Sequence, residues 1–150
     1  MSAHRRSALL ETFDVLVGRW ETEALVDGHS RGRGTATFEW VEDGAFLRVH
    51  ADSVDGEPDW MAAAPASSTS YIGLDDTHQA FTVLYSDARD VFRVYRTSLV
   101  DGVWRQWREA PGFDQRFTGL LDGERIVGFW EMSQDARTWR KDFDLVYRRT

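Results

Sequence analysis

Two hydrophobic periods divide the chain. Leu9, Leu10, Phe13, Leu16 and Val17 recur at three- to four-residue spacing, the mark of a helix with one apolar face. Ser7 stands where the first turn needs an acceptor, and Gly18 ends the pattern. Beyond Gly18 the period falls to two. Runs rich in Thr, Val, Phe, Tyr and Trp predict strands near 19–26, 33–42, 45–54, 70–75, 80–86, 91–99, 102–109, 114–121, 124–133 and 139–149. Asp27-Gly28, Asp43-Gly44, Asp101-Gly102 and Asp122-Gly123 each fall between two runs, and Asp-Gly supplies the positive φ that tight primed turns demand. About ten antiparallel strands at hairpin spacing predict an all-β fold, either a sandwich or an up-and-down barrel. The stretch from Asp55 to Thr69 breaks the rhythm with two of the three prolines. It reads as a long loop with room for one helical turn. Its two large apolar residues, Trp60 and Met61, are expected to bury at a pocket mouth as a lid.

The faces of the strands favour closure. Alternation places Trp139, Lys141, Phe143, Leu145 and Tyr147 on one face of the last run, and Ala36, Phe38 and Trp40 together on 33–42. Runs 91–97, 102–109 and 124–133 are apolar in part on both faces, so their facing stays open. A sandwich shows cleaner alternation. A closed barrel with a partly polar lumen, and a cover outside some strands, accommodates such runs and removes the sheet edges. The expected architecture is a closed antiparallel up-and-down β-barrel with a short N-terminal helix plugging one end. Trp40, Tyr85, Tyr95, Trp107, Phe117, Trp130, Phe143 and Tyr147 are the candidate lumen rings, with Arg93, Arg105 and Lys141 as polar handles. A solid aromatic core is the competing reading, but ten strands enclose more space than the eight whose side chains just fill the interior.

Composition narrows the function. The 150 residues suit one barrel domain, with residues 1–6 as a flexible start. Aromatics reach 13%, including 7 Trp, which fits a dense core or a ring-lined cavity. A net charge of -7 argues against nucleic acid or anionic membrane as the main partner. The absence of cysteine excludes disulfides, thiolate zinc sites and cysteine nucleophiles. Glu11 and Asp14 interrupt the first apolar stretch, so it fails as a signal-peptide core, and the expected location is the cytoplasm. His4, His29, His50 and His78 lie at no metal-ligand spacing, so neither a metal nor a cofactor is expected. Gly28, Gly32 and Gly34 match no phosphate loop and read as a hairpin.

Leu16-Val-Gly-Arg-Trp20, a Gly-x-Trp directly after a helix, resembles the start of the calycins, the superfamily of lipocalins and fatty-acid-binding proteins. The segments LVGRWETEA, SYIGLDDTHQAFTVLYSD and GFWEMSQDARTWRKDFDLVYRR extend the likeness to bacterial lipocalin-like proteins related to nitrobindin. The resemblance implies that Trp20 packs across the closed end against a basic residue of the last strand, a place Arg149 fits by parity. Two departures limit it. Nitrobindin-like proteins bind haem through a histidine on a late strand, and 114–150 holds none. Fatty-acid-binding proteins grip a carboxylate with Arg-x-Tyr, and here Leu145-Val146-Tyr147 keeps only the tyrosine. The expected function is binding of a small apolar or aromatic molecule, bearing an acidic or carbonyl group, by a monomer or homodimer. The alternative is a cofactor-free cyclase, isomerase or hydratase using the same lumen, with His50 or Tyr85 as its acid–base group. A haem-binding protein ranks behind both.

Overall fold

Ten antiparallel strands follow one another around a ring that closes where β1 (Gly18–Val26) meets β10 (Arg140–Arg149). Between them run β2 (His29–Val41), β3 (Phe46–Gly56), β4 (Ser67–Asp75), β5 (Ala80–Asp87), β6 (Phe92–Val100), β7 (Val103–Arg108), β8 (Asp114–Asp122) and β9 (Arg125–Ser133). The coordinates are a computed structural model and describe residues 7–150; the expected flexible start at 1–6 lies outside them. Each strand falls on a run that alternation predicts. Asp27-Gly28 and Asp101-Gly102 have positive φ at both positions, as primed hairpins require. Among the described residues no helix is long and apolar enough to cross a membrane.

One end is plugged by the N-terminal helix, Ala8–Leu16, whose first turn is capped by the Ser7 hydroxyl at 3.3 Å from the Leu9 N–H. It is a 3-10 helix. Its buried residues, Leu10, Phe13 and Leu16, are spaced by three, and three residues per turn stack them in one row against the barrel. Thr12 ties the plug to β6 by donating to the Leu99 carbonyl at 2.7 Å.

Trp20 lies directly under this plug with 2% of its surface exposed. Its indole N–H donates to the Leu16 carbonyl at 2.9 Å. The Arg149 guanidinium covers the ring at 4.0 Å and donates to the carbonyls of Val17 (2.8 Å) and Val15 (2.7 Å). Gly18 makes room for it. A Cβ there would sit 2.7 Å from Arg149 Nη1, and φ is +133°, a conformation open to glycine. The Gly-x-Trp signal and its arginine partner thus form one joint between the first and last strands.

The strands whose facing was open resolve as follows. On β6, Arg93, Tyr95, Thr97 and Leu99 point inward, while Phe92, Val94 and Arg96 point outward. On β7, Trp104 and Gln106 point inward, so Trp107 and Arg105 stand outside. Thr97 decides this locally, because its hydroxyl accepts the buried Trp104 N–H at 3.1 Å. Trp107 joins an outer cross-strand row with Arg96, Arg116, Glu131 and Lys141. In that row Arg116 donates to Glu131 at 2.8 Å and covers Trp139 at 4.0 Å. The second apolar face is therefore a ladder of rings and arginines. The expected cover over it is missing among the described residues: Phe92 is 75% exposed.

A register shift between Lys141 and Phe143 breaks the alternation of β10. Phe143, Leu145 and Tyr147 keep the inner face, and Asp142 joins them. Lys141 and Trp139, placed inward by simple parity, fall outside. The Lys141 ammonium is 3.0 Å from Asp144 and 5.4 Å from the centre of the Phe129 ring. Phe117 is also displaced from its expected position. Gly119 and Gly128 pair across β8 and β9, and the Phe117 ring folds into the slot that their missing side chains leave. It is 1% exposed and supports Trp104 and Trp130 from behind, as wall rather than lining.

The other end stays open. The segment after β3 is shorter than expected, since β3 runs to Gly56 and β4 begins at Ser67. Between them lies α1, Pro58–Ala63. Gly32 and Gly34 belong to the interior of β2, so only Asp27-Gly28 is the turn.

Candidate functional site

The barrel encloses a cavity of about 450 Å³ that opens beside α1. Strand direction sets the depth of each lining residue. The even strands leave the open end and the odd strands return to it, so Arg93 and Gln115 line the mouth. Tyr85, Tyr95, Trp130 and Phe143 line the middle, and Tyr147 and Trp104 the floor. Tyr95 stands edge-on to both Tyr85 (6.1 Å) and Trp130 (5.8 Å). At the floor Tyr147 contacts Trp20, Phe38 and Trp104 at 6.0–6.3 Å between ring centres.

Trp60 and Met61 of α1 line the mouth. The Trp60 ring meets Phe143 edge-on at 5.4 Å and lies on Gly32, where a Cβ would come within 2.6 Å of it. Two arginines hold this helix. Arg31 donates to Asp59 at 2.7 Å and forms an ion pair with Glu57 at 2.8 Å near its start. Arg89 donates to the Ala63 carbonyl at 3.2 Å at its end.

Arg89 belongs to a polar knot in the turn after β5. Its guanidinium lies 2.6 Å from the Asp87 carboxylate, which also accepts the Tyr85 hydroxyl at 2.7 Å and the Arg89 backbone N–H at 2.8 Å. Burial alone would raise the Asp87 pKa, but these donors outweigh it and hold it down to about 2. Burial, reinforced by Asp87, raises the Tyr85 phenol above its ordinary range. At the mouth Arg93 donates to the Gln115 side-chain oxygen at 3.0 Å and lies 5.4 Å from the centre of the Phe113 ring. Tyr95 donates to the same oxygen at 3.3 Å. Asp142 faces the cavity with its pKa raised by burial, which Arg140 partly offsets. Burial also raises the Tyr147 phenol, and no hydrogen bond joins its hydroxyl to a described residue.

Of the candidate lining residues, the cavity gathers Tyr85, Arg93, Tyr95, Trp130, Phe143 and Tyr147, with Trp60 and Met61 at its rim. It does not gather four others. Trp40 shares the inner face of Phe38 but lies beyond the floor, where its N–H meets Asp14 at 2.8 Å. Trp107 and Lys141 are outside, and Phe117 lies behind the lining. Arg105, on the outer face of β7, is no lumen handle either. Sequence reading missed Trp104, Gln106, Gln115 and the Asp87–Arg89 knot. The inner face of β7 could have been found by asking which indole had a buried acceptor.

His50 is on the outer face of β3, because Val49 and Ala51 hold the inward positions. It contacts Thr69 at 3.0 Å and Asp52 at 3.2 Å. Among the described residues, none of the histidines lines the cavity, and no three acidic or histidine side chains gather as a metal site. A haem held through imidazole does not fit this lining.

No protein-family model matches the chain, and no curated protein does. A solved structure is similar to it: Rv2717c from M. tuberculosis, at a TM-score of 0.65 and 14% identity, over 97% of this chain and 99% of that one. Likeness at that identity carries the fold. The barrel fits a calycin-like architecture.

Proposed function

We propose that this protein binds a small, largely apolar or aromatic molecule carrying an acidic or carbonyl group in its lumen. The carrying observation is the cavity of about 450 Å³, walled by rings from several strands, into which a few polar groups converge. The likeness to lipocalin-like proteins related to nitrobindin supports a binding role, while the histidine-free lining counts against haem. Tyr85 already donates to Asp87 and His50 is outside, so neither supports the enzyme reading. The protein works on a small molecule, in the cytoplasm, as a monomer or homodimer, without nucleic acid or membrane. Native mass spectrometry of freshly purified protein tests this. A co-purified molecule of a few hundred daltons, lost on unfolding, is the expected result. Protein that carries no molecule and binds none of a panel of aromatic acids and ketones would overturn it.

Two variants test the lining. Tyr147→Phe keeps the ring and removes a cavity-facing hydroxyl that has no protein partner among the described residues. Its melting temperature should match or exceed that of the parent. Affinity for a ligand whose carbonyl reaches the floor should fall about three- to tenfold. In Trp60→Ala the mouth should lose its lid. Ligand dissociation should quicken, and the slowing of hydrogen exchange over α1 on binding should disappear. Exchange in α1 that ignores ligand in both forms would remove the lid role.

A further inference from the structure

Among the described residues, one inward-facing arginine of the lumen has no counter-charge in ion-pair range. Three arginines border the cavity: Arg33, Arg89 and Arg93. Arg89 is neutralised by Asp87 at 2.6 Å. Arg33 is exposed, and its neighbours Gly32 and Gly34 hold the inward positions of β2. Arg93 does point inward. Its neighbours across β5 and β6 and on its own strand, Tyr85 and Tyr95, are lumen rings. Among the described residues no carboxylate lies within ion-pair distance of it. Its one acceptor among the described residues is the neutral Gln115 oxygen, which takes a single N–H of the five that a guanidinium offers.

The other charges facing this end do not supply the missing partner. Asp87 is saturated by Arg89 and Tyr85. Asp52 is engaged by His50. Asp142 enters from β10, four strand steps around the ring from β6. Gln115 and Phe113 hold the fork of Arg93 in place, which reduces the ordering cost of binding an oxyanion. Below Arg93 the rings of Tyr95, Trp130 and Phe143 share the lining with aliphatic side chains such as Val83 and Leu145 and with Gln106, down to Tyr147 and Trp104 at the floor.

Resting on the reading that the lumen binds a ligand, we infer that the natural ligand is an organic carboxylate held head-up. Its anion forms a charge-assisted pair with Arg93 at the mouth, and its apolar body extends down among Tyr95, Trp130 and Phe143. A planar carboxylate matches two parallel guanidinium N–H groups, which a ketone or an alcohol cannot. This places the acid at the opposite end of the barrel from the tyrosine of the last strand. Carboxylate capture here belongs to β6, and Tyr147 is left for a neutral acceptor.

The test uses two probes that share a ring and a chain, 1-pyrenebutyrate and 1-pyrenebutanol. Both are titrated into the full chain with energy transfer from tryptophan as the signal. The expected result is a preference of about tenfold or more for the butyrate, the usual worth of a hydrogen-bonded charge. Arg93→Met keeps the stem over Phe113 and should erase the preference by weakening the butyrate alone. Circular dichroism and the melting temperature establish that the variant is folded. Arg93→Lys retains a charge without the fork and should keep part of the preference; it decides the matter if the methionine variant does not fold. Equal affinity of the parent for both probes, or a preference that survives in Arg93→Met, overturns the assignment to Arg93 and leaves lumen binding standing. If neither probe binds the folded parent, this inference falls, and the lumen-binding reading falls with it when native mass spectrometry and the panel of aromatic acids and ketones also find nothing.

Discussion

Trp20→Ala lowers the stability of the barrel by about 3–5 kcal/mol, the expected cost of truncating a fully packed indole. The site cannot relax around the loss. The plug helix lies on one side, Phe38 and Tyr147 stand edge-on at 6.5 and 6.3 Å, and the Arg149 guanidinium covers the ring at 4.0 Å. Removing the ring also takes away the donor to the Leu16 carbonyl, which fastens the helix to β1. For a chain of this length the melting temperature should fall by roughly 10 °C or more. Trp20→Phe, which keeps much of the volume, should cost less. Chemical denaturation followed by circular dichroism measures both. An alanine variant as stable as its parent would mean that the closed end is not organised around this joint.

The second large effect is expected at Asp87. Its side chain is 0% exposed and accepts from Tyr85, the Arg89 guanidinium and the Arg89 backbone N–H. Asp87→Ala leaves the phenol without its acceptor and the guanidinium without its counter-charge. Arg89 is itself 42% exposed, so water recovers part of the loss. The net cost at neutral pH should be about 2 kcal/mol. Acid removes the difference. The folded pKa of about 2 lies below the usual carboxylate value of 3.8, so the ionised group favours the folded state. Its contribution is complete above about pH 4 and is lost as pH falls through the folded pKa near 2. Urea midpoints for parent and variant should therefore differ at pH 7 and converge near pH 2. A gap independent of pH would show that the volume of the side chain matters and its charge does not. Because Arg89 also bonds the end of α1, the variant should show faster hydrogen exchange in that helix.

Much of the fold was legible along the chain because its signals are local. Alternation over five to ten residues defines a strand whatever it later packs against, and Asp-Gly defines a tight turn by its own backbone preference. All ten strands were found this way. The N-terminal helix was found too, without its type. The Leu10–Phe13–Leu16 row, seen afterwards as a three-residue period, carried the 3-10 geometry. The Trp20–Arg149 joint was legible only through resemblance, since its partners stand at opposite ends of the chain.

The candidate site was less legible, and each miss has a physical cause. A strand with rings on both faces gives no local reason to turn one of them inward. On β7 the choice of Trp104 over Trp107 was made by a hydroxyl on the neighbouring strand, Thr97, waiting for an indole N–H. On β10 an extra residue between Lys141 and Phe143 reversed the parity of everything before it. That shift depends on pairing with β9 and leaves no composition signal. Phe117 points inward as alternation demands, yet the paired glycines of β8 and β9 fold it out of the lumen. The amino-acid order by itself determined a ten-stranded antiparallel barrel with a plugged end and a ring-rich interior, because those features rest on periodicity and turn chemistry. The tertiary structure alone decided which rings face the cavity and which lumen cation has no counter-charge among the described residues. Both depend on cross-strand register and closure, which bring together residues far apart in the chain.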